Sequence, residues 1–377
     1  MGIKKQINVL FVIVQMEMGG AERLVCNIVS KLDRQIFNPS IAWFFGDKVL
    51  DEFKKLEVPL HHIPKVKRLD FGAMRRLADL LRRESIDVVN AHHFMPLLYS
   101  FYGCKMLGRK LVYTEHSGLE IEKLSWKWKT VGGYLIHLSD RAVGVSPAVS
   151  NQIEKTFNVS SAKTSTIVNG VSVELFEKKK ENPSLKKEIG IKEDEAVIGM
   201  VANFHKIKNH LLLLKAFNEV IKEGKRAKLL LVGQGFESII DNAEPEIRSF
   251  IAENGLSEHV LTLGYRTDVP ALLGIMDIFC LTSFNEGLPI GLIEAMAAGL
   301  PVVGTDVGGI RDLITPNKNG FLVAPADVEG LKKALLLLIQ DESMRKKLGQ
   351  ESRQSAFRDY SLDRCIQNYQ NLFLSLC

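Results

Sequence analysis

Short apolar runs recur along the chain, with longer stretches of helical spacing between them. In the first half they read INVLFVIV (7–14), SIAWFF (40–45), DVVNAHH (87–93), KLVYTEH (110–116) and RAVGVS (141–146). In the second half they read AVIGMVAN (196–203), AKLLLVG (227–233), VLTLGY (260–265), IFCLTS (278–283), PVVGTD (301–306) and GFLVA (320–324). Near-continuous apolar runs of strand length, alternating with helices, predict parallel strands joined by helical crossovers. The rhythm lapses at VELFEKKKENP (173–183), which is charged, loses strand character and ends in proline. The pattern predicts an α/β protein of two Rossmann-like, doubly wound parallel-sheet domains, residues 1–175 and 183–358, followed by a closing helix within 359–377. Helical spacing is also read at GLKKALLLLIQ (330–340) and LDRCIQNYQNLFLSL (362–376).

Open parallel sheets bind ligands at the carboxyl ends of their strands, so a cleft between two such domains is the expected active site. The length of 377 residues, with 46% hydrophobic and 25% charged residues, suits two ordinary cores. No apolar run reaches the roughly 18 to 20 residues of a membrane span. The N-terminal MGIKKQINVLFVIVQ lacks a small-residue cleavage site and reads as a first strand, so a cytoplasmic location is expected. Five scattered cysteines without a C-x-x-C pair support neither disulfides nor a zinc site.

Charge changes the picture of the first half. Residues 1–175 hold 24 Lys and Arg against 17 Asp and Glu, whereas residues 176–377 hold 25 against 27. Lys65, Lys67, Arg68, Arg75, Arg76, Arg82 and Arg83 cluster in one segment, and Lys123, Lys127 and Lys129 interleave with Trp126 and Trp128. Such segments are either solvated helix faces or contacts to anionic lipid headgroups at the inner face of the plasma membrane. Nucleic acid is not expected, because no binding motif accompanies them.

The most specific stretch is SFNEGLPIGLIEAMAAGLPVVGTDV (283–307), which sets Glu286 and Glu294 with seven residues between them. Gly287-Leu288-Pro289-Ile290-Gly291 breaks helical character, Leu292 to Ala298 favours helix, and Gly299-Leu300-Pro301 ends it. Glu286 is thus predicted before a helix and Glu294 on it, flanking helix-start N–H groups near Leu288 and Ile290 that suit an anion. Taken alone, the two glutamates read as a cap and a solvated helical residue. Lys208 falls at a loop-to-helix transition, where an ammonium suits a diphosphate. Gly19-Gly20-Ala21-Glu22 follows the first strand, where glycine lets a ligand approach the backbone. His116 ends KLVYTEH, and His92 and His93 end DVVNAHH. Gly233-x-Gly235 continues to Ser238, not a third glycine, so a bound dinucleotide such as NAD is not expected.

From Gly19 to the last helix, and most specifically over 199–312, these segments resemble glycosyltransferase family 4, whose E-x7-E segment matches EGLPIGLIE. The resemblance implies the GT-B fold, two Rossmann-like domains facing a cleft, with the last helix crossing back to the first domain. It implies a retaining transferase moving a sugar from a nucleotide diphosphate sugar to a hydroxyl acceptor, in surface polysaccharide or glycolipid biosynthesis. Glu286 would approach the donor sugar and Glu294 would hold the nucleotide ribose. Lys208 would hold the diphosphate, with Asn203 standing where the family has arginine and His205 or Lys206 as substitutes for its charge. His116 would contact the donor sugar, Gly20 would line the donor phosphates, and Tyr265 and Arg266 would lie near the base. The helix-start amides at Leu288 and Ile290 would complete the donor site, and His92 and His93 would meet the acceptor. Gly308-Gly309 and Asp312 continue the match, and Asn169-Gly170-Val171 resembles a turn with Ser172 in place of aspartate. No D-x-D triplet occurs, so no metal is expected. A glycoside hydrolase using Glu286 and Glu294, or a noncatalytic nucleotide-sugar-binding protein of the same fold, are the alternatives.

Overall fold

A computed structural model describes residues 6–16, 19–46, 49–67, 69–176, 182–235 and 241–377. Arg68, Met18, Ser238 and residues 177–181 of the expected linker lie outside the described residues. The chain forms two compact units, Met1–Gly170 with Leu362–Cys377, and Val171–Ser361.

The first unit runs β1 (Ile7–Gln15), α1 (Gly20–Lys31), β2 (Phe37–Phe45), α2 (Asp51–Lys54), β3 (Leu60–His62), α3 (Phe71–Arg83), β4 (Val88–His92), α4 (Phe94–Leu107), β5 (Lys110–Glu115), α5 (Gly118–Glu122), α6 (Trp126–Leu138), β6 (Arg141–Gly144), α7 (Pro147–Phe157) and β7 (Thr164–Thr166). Its seven strands are parallel, in the order β3-β2-β1-β4-β5-β6-β7. The central strands are buried on both faces, with Val9 to Val12 and Val88, Val89 and Ala91 at 0% exposure, which is why they read as unbroken apolar runs.

The second unit runs α8 (Pro183–Glu188), β8 (Ala196–Val201), α9 (His210–Lys222), β9 (Ala227–Val232), α10 (Glu244–Glu253), β10 (Val260–Thr262), α11 (Val269–Gly274), β11 (Ile278–Leu281), α12 (Ile290–Ala297), β12 (Val302–Thr305), α13 (Gly308–Leu313), β13 (Gly320–Val323), α14 (Val328–Gln340) and α15 (Glu342–Asp359). Its six parallel strands take the order β10-β9-β8-β11-β12-β13. The last helix, α16 (Leu362–Leu376), returns to the first unit. There Phe373, fully buried, meets Phe11 and Phe37 edge-on at centroid distances of 6.0 and 6.2 Å. Lys31 of α1 bonds Asp363 at 2.8 Å beside it.

Three elements escaped the sequence pattern. Strands β3 and β7 are three-residue edge strands, too short for a run to register. Helix α15 is long but polar, burying only Leu348, Gly349, Ser352 and Ala356, so it carries no apolar stripe.

Candidate active site

In the second unit the sheet order reverses between β8 and β11, the switch point where doubly wound sheets open for ligands. The loops leaving these two strands are stitched together. The N–H of Phe284 donates to the Ile207 carbonyl at 2.8 Å. The Thr282 hydroxyl donates to the carbonyls of Lys208 and Asn209 at 3.3 and 3.0 Å. A 3-10 turn over Lys206–Lys208 and a left-handed Asn209 (φ 49°) then bring Lys208 across to the β11 loop. Its Nζ donates to Glu286 Oε1 at 2.7 Å, and Ser283 Oγ donates to the same oxygen at 2.6 Å. The pair is shielded, with side chains 22% and 9% exposed.

Two glycines from the next loop lock Glu286 from behind. The N–H of Gly309 donates to the Glu286 carbonyl at 2.9 Å. A Cβ on Gly308 would lie 2.2 Å from the Glu286 carbonyl oxygen, and one on Gly309 would lie 2.0 Å from that of Gly287. Only glycine fits at this close approach.

Helix α12 follows, with Glu286 before it and Glu294 within it, and Gly299 (φ 80°) ends it in the left-handed conformation the sequence suggests. The Pro289 carbonyl takes the N–H groups of Leu292 and Ile293, leaving those of Ile290 and Gly291 among the orphan donors of the first turn. Gly291 sits where a Cβ would lie 3.0 Å from the Val201 carbonyl, so the helix start rests on the end of β8. The Leu288 side chain is buried, so only its backbone can face a ligand. Asn203 is exposed just past β8. The two suggested substitutes for its missing charge each have a partner of their own. Lys206 bonds Glu246 at 2.8 Å, and His205 caps the 3-10 turn by accepting from the Ile207 N–H. Tyr265 is 56% exposed, whereas Arg266 is tied to Asp268 by two bonds of 2.7 and 2.6 Å.

In the first unit the corresponding edge gathers histidines. His92 ends β4, His93 (φ 74°) precedes α4, and His116 follows β5. His92 Nδ1 and His116 Nε2 are 2.8 Å apart, and the His116 ring lies 4.9 Å from that of His93. The Nδ1 of His93 faces Glu115 Oε1 at 3.0 Å and Glu120 Oε2 at 3.3 Å. Glu115, wholly buried, also accepts from the Tyr113 hydroxyl at 2.5 Å and from the N–H groups of His116 and Ser117 at 2.8 and 3.0 Å. Burial opposes charge on His93, but the two carboxylates outweigh it and hold the imidazolium well above the usual histidine range. Burial and the neighbouring His93 charge push His116 well down and His92 to about 3. A charged imidazole is thus flanked by two neutral ones.

Glu22 of α1 is buried nearby, its acidity weakened by that burial. Beyond its chain neighbours and its own helix backbone, nothing lies within 4 Å of where a Gly20 Cβ would stand, so that turn is open. The ligand atoms of His93, Glu115 and Glu120 fall within 4.8 Å of one another, a spacing that can hold a cation. Glu115, however, already spends both oxygens on Tyr113 and two backbone N–H groups, and His93 faces it as a proton donor. The group is better described as an ion triad.

Sequence reasoning passed over Glu115, Glu120 and Ser283. Glu115 had a signal: a carboxylate in an otherwise apolar strand is almost never buried unless partnered. Ser283, three residues before Glu286, offered only its spacing.

Known proteins agree with this architecture. Residues 181–355 match the family model for glycosyl transferases group 1, and residues 18–175 match the model for Glycosyltransferase Family 4. N-acetyl-alpha-D-glucosaminyl L-malate synthase of Bacillus anthracis is 28% identical over 85% of this chain and 83% of its own. The Escherichia coli UDP-Gal:alpha-D-GlcNAc-diphosphoundecaprenol alpha-1,3-galactosyltransferase is 23% identical over 81% and 80%. The crystal structure of Anabaena HepE in complex with UDP and glucose superposes with a TM-score of 0.86 over 98% of this chain and all of its own, at 22% identity. The protein is a glycosyltransferase with the GT-B fold. It belongs to glycosyltransferase family 4.

Proposed function

We propose that this glycosyltransferase moves a sugar from a nucleotide diphosphate sugar to an acceptor hydroxyl, with retention of configuration and without a metal, in building a surface polysaccharide or glycolipid. The Lys208–Glu286 pair at the switch point of the second sheet is the observation that carries this reading. Lys208 and the amides at Leu288 and Ile290 stabilise charge growing on the leaving diphosphate, a preorganised effect of roughly 3 to 4 kcal/mol per strong donor. Glu286, fixed by Lys208 and Ser283, orients the sugar. Glu294 holds the ribose, Tyr265 flanks the base with Arg266 as its support, and Asn203 and Gly20 line the phosphates. Neutral His116 contacts the sugar and His93 serves the acceptor, while His92, expected at the acceptor but 0% exposed, backs the His116 ring at 2.8 Å instead. The bound UDP of the Anabaena protein and the lipid diphosphate in the name of the Escherichia coli relative support this choice of donor and acceptor class. Action at the cytoplasmic membrane face follows from such an acceptor.

Calorimetric titration with UDP, GDP and ADP, without metal, tests the donor site. Saturable binding of one nucleotide, weakened at least tenfold in Glu294→Ala, is expected. Binding of none would remove the reading, and binding with neither transfer nor donor hydrolysis would leave a noncatalytic binding protein. Anomeric analysis of the product by NMR tests retention.

A further inference from the structure

Behind the histidines of the first unit, three buried polar atoms gather that meet no hydrogen-bond partner among the described residues: Asn90 Nδ2, His92 Nε2 and the Tyr369 hydroxyl. All three residues are at 0% exposure. Asn90 and His92 stand two apart on β4 and share a face of the sheet, with Phe11 beside Asn90 and Thr114 beside His92. Helix α16 covers that face, since its Phe373 meets Phe11 and its Tyr369 ring lies 6.0 Å from that of Phe373. The Tyr369 hydroxyl comes close to Thr114 without a full hydrogen bond, and the Thr114 hydrogen itself goes to Asn90 Oδ1 at 2.8 Å. Unpaired polar atoms are costly in such a place. Same-face neighbours on a strand lie roughly 6.6 Å apart, a span that one water crosses with two hydrogen bonds.

We propose that one enclosed water joins Asn90, His92 and Tyr369, and that through it Asn90 and Tyr369 act as positioning residues that set which nitrogen of His116 carries its hydrogen. The Asn90 amide nitrogen can only donate, so the water accepts from it. The two water hydrogens then go to His92 Nε2 and to a lone pair of the Tyr369 oxygen, whose own hydrogen is drawn to Thr114. This arrangement leaves a lone pair unused but no hydrogen. The reverse, with His92 donating to the water, strands a water hydrogen without an acceptor, and buried orphan donors are the rarer defect in proteins. His92, neutral in its buried place, therefore carries its hydrogen on Nδ1 and donates it to His116 Nε2, 2.8 Å away. The His116 hydrogen is left on Nδ1, so the ring meets a sugar oxygen as a donor. The contact with the sugar rests on the function proposed above, whereas the tautomers do not. Helix α16 thus reaches the site through hydrogen bonds that never touch the substrate.

Heteronuclear NMR of isotope-labelled histidine side chains in the full chain reads the tautomers directly. His92 and His116 are both expected as Nδ1–H, and a high-resolution crystal structure should hold one water bonded to all three residues. Tyr369→Phe keeps the ring and removes one partner of that water. It should move the His92 Nε2 resonance towards that of an unbonded nitrogen, leave the His93 signals in place, and lower turnover about two- to tenfold, the worth of one neutral hydrogen bond, with UDP affinity unchanged. Either ring found as Nε2–H in the native chain, no water at the three atoms, or a His92 resonance that Tyr369→Phe leaves unmoved would overturn the proposal. The expected tautomers and a moved resonance, with transfer rates unchanged in Tyr369→Phe, would support the water-linked residues while removing the contact between His116 and the sugar.

Discussion

The two sheets share one strand order up to the sixth strand, yet their carboxyl edges hold different chemistry. The second unit relies on permanent charge and backbone: an ammonium, a carboxylate, two glycines and a helix start. The first relies on imidazoles whose charge depends on their surroundings, with His93 held charged by Glu115 and Glu120 between neutral His92 and His116. A site that meets a diphosphate needs charge that does not vary with pH, whereas one that meets a sugar hydroxyl can use neutral rings that accept or donate. On the function proposed, the same scaffold separates a fixed electrostatic task from a tunable one.

The sharpest way to break this comparison is to remove the fixed charge. Lys208→Ala should lower turnover about 100- to 1000-fold, as loss of a preorganised donor does, and should weaken nucleotide binding as well. Glu286→Ala should chiefly lower turnover. Initial rates read beside calorimetry separate the two, and retained activity in both variants would end the assignment. Next in size, Gly309→Ala drives a Cβ against the Gly287 carbonyl and displaces the Glu286 loop. A loss of about tenfold or more is expected, since small misplacements of reacting groups are costly, with a melting temperature that shows the unit still folded.

The fold was legible because both sheets are buried on both faces, which writes each central strand as an apolar run and each crossover as a helix. The short edge strands β3 and β7 and the polar helix α15 lack that imprint. Glu286 and Lys208 stood out through their surrounding glycines and prolines, but their 2.7 Å contact joins positions 78 residues apart, a distance no local pattern encodes. The Glu115 network escaped for a related reason. Its partners come from β5, α5 and the residue before α4, and only the folded sheet edge assembles them.

A smaller effect sharpens the tunable half. Glu115→Gln keeps an oxygen for the His116 and Ser117 N–H groups but removes one of the two carboxylates facing His93. Glu120, Glu22, Tyr113, His92 and His116 remain around it. The His93 pKa, raised in the native protein, should fall, so the alkaline limb of the rate profile should move to lower pH, with donor affinity unchanged. A raised histidine stabilises the fold below its unfolded pKa of about 6.5 and loses that contribution as pH rises through the folded value. The variant should therefore lose stability mainly on the acid side of that window. An unshifted rate profile would reduce Glu115 to a packing role.

The smallest effect lies in the second unit, where His210 breaks the rule of fixed charge. It is 1% exposed, packs edge-on to Phe204, and neither ring nitrogen has a hydrogen-bond partner. Burial, aided by Lys208, lowers its pKa to about 3. Between about pH 6.5 and that value the unfolded chain takes up a proton that the folded unit refuses, so the stability present above pH 6.5 drains away as pH falls, by up to about 1.4 kcal/mol per pH unit. His210→Leu removes the titrating group while keeping an apolar side chain of similar size. Its melting temperature should fall less than that of the native protein between pH 7.5 and pH 5.5, by about 2 to 4 °C for each kcal/mol recovered. Identical pH slopes in the two proteins would mean that the second unit does not hold His210 neutral at a cost.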